Sequence, residues 1–112
     1  MPQSYRPPAR VAAAARRALE IRASQPRSRR AGTAVGVARA NQLAARRPLS
    51  VDTIQRMYSF FRRHEKTPGA AAARKRSATS KAAQAWGLWG GDSGYRWARR
   101  MLRDLGLLDE DS

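Results

Sequence analysis

Leu49-Ser50-Val51-Asp52-Thr53-Ile54-Gln55-Arg56-Met57-Tyr58-Ser59-Phe60-Phe61-Arg62-Arg63-His64-Glu65 reads as one capped amphipathic helix. Ser50 is a good N-cap residue, because its hydroxyl can accept from an amide of the first turn that has no partner within the helix. Leu49 and Ile54 occupy the two positions of a hydrophobic staple, and Asp52 places a negative charge where the helix dipole favours it. Val51, Ile54, Tyr58 and Phe61 recur at i, i+3, i+7 and i+10 with Met57 beside them, while Gln55, Arg56, Ser59, Arg62 and Arg63 fall outward. One face is core and the other is basic. Thr67-Pro68-Gly69 ends the helix.

The same pattern extends toward the C-terminus. Residues 70–79 read as a loop or frayed turn carrying the cluster Arg74-Lys75-Arg76. Ser77 or Ser80 can then cap a helix lined by Ala82, Ala85 or Trp86, and Trp89, which Gly90-Gly91 closes. Asp92 or Ser93 is placed to cap the next helix, whose apolar stripe is Ala98, Met101, Leu102 and Leu105. Arg96, Arg99, Arg100 and Arg103 occupy its other faces, and Gly106 ends it. A short helix, a glycine turn and an arginine-rich second helix have the outline of a helix-turn-helix, although any helical hairpin of a basic protein would share it.

Toward the N-terminus, residues 34–45 predict a helix weakened by Gly36 and stopped before Pro48, with Val37, Ala40 and Leu43 or Ala44 inward. Residues 1–31 form a basic Arg/Ala-rich segment with a short helix in which Val11, Ala15, Ala18 and Leu19 make a narrow stripe between Arg10, Arg16, Arg17 and Arg22. So few large side chains predict a flexible arm that orders on a partner. An arginine-rich, acid-poor N-terminus also resembles an organellar transit peptide. No run alternates like a strand and no repeat is visible. The expectation is an all-α bundle of about four to five short helices over residues 32–108, with a C-terminal helix-turn-helix-like hairpin, a mobile basic arm before it, and an acidic tail at residues 109–112.

Composition narrows the function. The 112 residues carry a formal charge of +15, with 20 arginines against three lysines. Seven of the eight aromatic residues lie between Tyr58 and Trp97, so the large rings that build a core are concentrated while the charge is spread. An excess of cations this large implies a polyanionic partner, DNA or RNA first and an anionic membrane second. The planar guanidinium suits phosphate, although a GC-rich genome also favours arginine over lysine. There is no cysteine, which excludes disulfides and thiol chemistry. The longest apolar runs are short alanine tracts, far from the roughly 20 residues that span a bilayer, and no secretory core follows Met1, so neither export nor membrane insertion is expected.

The side chains that could meet a nucleic acid are Arg62, Arg63, Lys66, Arg74, Lys75, Arg76, Lys81, Arg96, Arg99, Arg100 and Arg103. If the hairpin is a major-groove reader, Arg96, Arg99 and Arg100 reach bases; otherwise the same residues neutralise phosphates. Gly90-Gly91-Asp92-Ser93-Gly94 lacks the Gly-Lys-Ser/Thr ending of a phosphate-binding loop and is better read as one helix stop followed by one helix start. Trp86 and Trp89, three apart, suit a core more than a base-stacking platform. His64 stands alone and no acids cluster, so no catalytic residue, metal or cofactor is implied and an enzyme is not expected.

Three blocks, Gly32-Thr33-Ala34-Val35-Gly36-Val37-Ala38-Arg39-Ala40, the stretch of residues 49–65 quoted above, and Ala85-Trp86-Gly87-Leu88-Trp89-Gly90-Gly91-Asp92-Ser93-Gly94-Tyr95-Arg96-Trp97-Ala98, together resemble a small phage and prophage domain. That domain occurs alone or attached to head-morphogenesis proteins such as prohead proteases. The likeness spans residues 32–105 and departs from the family between Lys66 and Ala83, where members carry a longer connection rich in Gly, Pro and Tyr. It implies a phage origin and a place in the virion or the bacterial host cytoplasm. The expected function is non-enzymatic binding of DNA through its phosphates. The alternative is a head-morphogenesis module whose charge docks on an acidic capsid, portal or protease partner.

Overall fold

A computed structural model describes residues 3–108; the acidic tail read at residues 109–112 lies outside them. Among the described residues every element is helical apart from one pair of two-residue strands. In order it forms β1 (Ser4–Tyr5), α1 (Ala9–Ser24), a 3-10 turn (Arg27–Arg29), α2 (Ala34–Ala44), β2 (Leu49–Ser50), α3 (Val51–Glu65), α4 (Ala70–Arg76), α5 (Lys81–Leu88) and α6 (Gly91–Asp104). The strands pair antiparallel, Ser4 opposite Ser50 and Tyr5 opposite Leu49, which ties the start of the chain to the entry of α3.

The caps follow from the sequence. Ser50 accepts from the Thr53 amide at the head of α3, and Ser80 does the same for Ala83 at the head of α5. Ile54, Met57, Phe60 and Phe61 are buried along α3, so its inward stripe is wider than the i, i+3, i+7 series alone and includes Phe60. Thr33 caps α2, which buries Ala40 and Leu43.

Two expectations are corrected. Residues 70–76 form α4, a helix with no buried residue, where a loop or frayed turn was expected; four consecutive alanines supply the helix propensity. The second correction is larger. The N-terminal segment is no free arm: α1 packs against α2, α5 and α6 at the centre of the bundle. Val11, Ala12, Ala15 and Ala18 are all buried on it, so packing recognises no boundary at residue 31. The scarcity of large side chains, which argued for a loose segment, is what lets α1 sit there. A Cβ placed on Gly87 of α5 would lie 2.7 Å from the Ala18 Cβ, so the two helices cross almost backbone to backbone. Close approach replaces side-chain size as the source of dispersion contact.

The core has two parts. Val11, Leu43, Ile54, Met57, Leu88, Trp97 and Leu102 belong to the larger cluster, and Phe60, Phe61 and Trp86 to an aromatic one packed against Trp89 and Tyr95. One buried polar side chain stitches the loop after α1 to α5. Gln84 accepts from the Ala31 amide at 2.9 Å and donates to the carbonyls of Arg29 at 3.0 Å and Thr79 at 2.8 Å. Its oxygen and nitrogen are thereby satisfied where the α1–α2 connection passes over α5.

Candidate nucleic-acid interface

The α5–α6 hairpin is set by its turn. Gly90 lies at φ +106°, and its would-be Cβ would fall 2.8 Å from the Gly94 Cα and 3.0 Å from Val11 Cγ1. No side chain fits there, and the left-handed backbone favours glycine independently. Gly90 therefore precedes α6, in place of the Asp92 or Ser93 cap expected from sequence. Asp92 sits in the first turn and accepts the Trp86 indole N–H at 2.8 Å, locking α5 to α6.

From that fixed start α6 is strongly two-faced. Gly94, Trp97, Ala98 and Leu102 are buried, while Arg96, Arg99, Arg100 and Arg103 are exposed. At about 100° per residue the four arginines share an arc of roughly 100°, and Arg96 to Arg103 covers about 10 Å of helix. Arg10, in the first turn of α1, comes alongside. Together these five line a cleft of about 360 Å³, and no carboxylate among the described residues lines it. Guanidinium groups converging where no described carboxylate lines the cleft form a site for an external anion.

The remaining predicted contacts do not join this cleft, and several are engaged elsewhere. Arg62 pairs with Glu65 at 3.5 Å and lies 6.0 Å from the Tyr58 ring. Its guanidinium is held above its usual pKa, chiefly by a hydrogen bond with Tyr95. The Tyr95 phenol is raised as well, first by burial and then by Glu65. Arg74 stacks 3.8 Å above the Trp86 ring, and with Lys75 and Arg17 it rims a separate cleft of about 520 Å³ between α1 and α5. Arg63 borders a further cleft beside α3. Lys66, Arg76 and Lys81 are exposed at helix ends.

Sequence reasoning did not place Arg10 in the site. Its neighbour Val11 packs on the α5–α6 turn, and that long-range contact carries Arg10 to α6. No local signal announces it. Much of the basic N-terminal half serves the fold. Arg16 donates to the Ala44 carbonyl at 3.1 Å, Arg22 to Ala31 at 2.7 Å, Arg30 to Gln25 at 2.9 Å and Arg46 to Pro7 at 2.9 Å. Ala44 and Gln25 lie at helix C-termini, where the helix itself offers no donor, and Ala31 and Pro7 lie in the segments leading into helices. Arg39 hydrogen-bonds Gln42 and stands 5.5 Å from the Trp89 ring; burial, then Arg56, lowers its pKa.

Among the described residues two ion pairs form, Arg56 with Asp52 at 3.0 Å and Arg62 with Glu65. No described helix is long and apolar enough to cross a membrane. No protein-family model, curated protein or solved structure matches the chain.

Proposed function

We propose that this protein is a non-enzymatic, phage-encoded nucleic-acid-binding protein that holds DNA mainly through its phosphates, as a virion-internal or genome-associated component. The observation that carries the reading is the convergence of Arg10, Arg96, Arg99, Arg100 and Arg103 on one cleft, which no carboxylate among the described residues lines. A face about 10 Å long is comparable to the roughly 12 Å width of the DNA major groove, so α6 can lie along a groove or against one strand. The likeness of the three sequence blocks to a phage and prophage domain supports the biological setting.

Titration of labelled duplex and single-stranded DNA across a salt series tests it. If roughly six to ten phosphates are engaged, log affinity falls against log salt with a slope of about −5 to −9. In the triple variant R96Q/R100Q/R103Q the slope becomes shallower by about two to three, because up to three phosphate contacts are lost. Absent or salt-insensitive binding overturns the reading. A second reading, docking on an acidic head protein, draws on the exposed Leu105 and Leu107 beside Arg103. Under it, a phage partner stays bound after nuclease treatment of the lysate.

A further inference from the structure

A second cleft, of about 790 Å³, opens between the start of α2 and the outer face of α3. One side of it is aromatic. His64 stacks on Phe60 at 3.9 Å and 25°, and Phe60 stacks on Trp89 at 4.7 Å and 13°. Three nearly parallel rings thus form a column, with the Arg39 guanidinium near its Trp89 end. His64 is the other end, and among the described residues no further ring stacks on it. The imidazole is half-buried and fixed in orientation: its Nδ1 lies 2.8 Å from the Phe60 carbonyl, which can only accept, so that nitrogen carries the proton. Val35, 56% exposed, is the most exposed large apolar side chain of the described residues and lines the same cleft. Arg63 borders it, as does Arg56, which also holds an exposed ion pair with Asp52 that a phosphate would have to share or displace; no described carboxylate lines the cleft itself.

A pre-oriented ring column, an aliphatic wall and two flanking cations match a planar aromatic ligand that carries negative charge. Every nucleobase has a stacking face, and in a single strand its phosphates lie a few ångströms away. We propose that this cleft receives a base of a single-stranded nucleic acid, stacked on the His64 end of the column, with Arg56 and Arg63 meeting the adjoining phosphates. A duplex keeps its bases inside and cannot use the cleft without extruding one. The arginine cleft of α6 then serves either form of DNA, whereas the His64 cleft distinguishes single from double strands. The proposal rests on the nucleic-acid reading and adds a specificity to it.

The protein has a single histidine, so its imidazole Cε1–H gives one NMR resonance to follow in the intact chain. The probes are a 12-nucleotide deoxyadenosine strand, the same strand with abasic sites, its duplex, and dAMP. The expected result is an upfield ring-current shift of that resonance with the intact strand and none with the abasic strand or the duplex. His64→Ala should weaken single-strand binding about tenfold, in line with the loss of one stacked base, and leave duplex binding unchanged. The NMR arm needs no variant and stands even if His64→Ala misfolds. Single-strand binding with a stationary His64 resonance and equal affinity for the abasic strand overturns the cleft and leaves the arginine site intact. A shift as large with dAMP at equal base concentration assigns the cleft to a free nucleotide and overturns the strand proposal. Failure of both strand and duplex to bind overturns this inference together with the reading beneath it.

Discussion

Two residues show how one side chain can decide more than its size implies. Gln84 is buried and holds an amide and two carbonyls that belong to the loop after α1 and the entry to α5. Gln84→Leu keeps the volume and strands those groups, and at about 1–3 kcal/mol for each buried polar group left unpaired the expected net loss is about 3 kcal/mol, read from urea unfolding. Arg74 sits in a basic cluster suited to phosphate, but its guanidinium covers the Trp86 ring at 3.8 Å. Arg74→Ala is expected to cost about 1 kcal/mol of stability, to move tryptophan emission to longer wavelength, and to change the salt slope of DNA binding less than the α6 substitutions do. A slope change equal to that of an α6 arginine would return Arg74 to the binding surface.

At the scale of helices, the crossing of α1 and α5 is the most sensitive contact. Gly87→Ala brings a methyl within 2.7 Å of the Ala18 Cβ, and overpacking of about 1–3 kcal/mol outweighs the gain of about 1 kcal/mol in helix propensity. Ala18→Gly in the same chain should relieve part of this, so a double-mutant cycle is expected to return a coupling of about 1–2 kcal/mol. This contact also marks the limit of what the sequence discloses. The boundaries of α2 and α3 were legible because caps, stops and the 3.6-residue period are local and agree with one another, whereas the start of α6 was not, because Gly90 alone serves as its cap. The role of α1 was not, because an alanine stripe reads the same whether it faces solvent or a glycine 69 positions away, and only the tertiary crossing between Ala18 and Gly87 decides. The site divides in the same way. The four arginines of α6 share a face by periodicity, whereas Arg10 reaches them through packing and Arg62 and Arg74 are drawn away by neighbouring aromatic rings. Deleting residues 1–31 should abolish cooperative thermal unfolding followed by circular dichroism, since it uncovers the surfaces that α2, α5 and α6 present to α1.

Over the whole molecule, a charge of +15 is carried by a body measuring 42 × 30 × 21 Å. Those dimensions exceed the screening length of about 8 Å at physiological ionic strength, so repulsion acts mainly between neighbours and is strongest where the five arginines converge. The melting temperature is therefore expected to rise as sodium chloride is raised from low ionic strength. The gain should be smaller in R96Q/R100Q/R103Q, and differential scanning calorimetry of both proteins measures it. The central seat of α1 has a further consequence in time. The helix leaves the ribosome before the other described helices, yet the surfaces that enclose it are not complete until α6 has emerged some eighty residues later. Stable packing must wait for nearly all of these elements to be translated, and until then the nascent polypeptide presents an uncovered alanine stripe beside a dense row of cations.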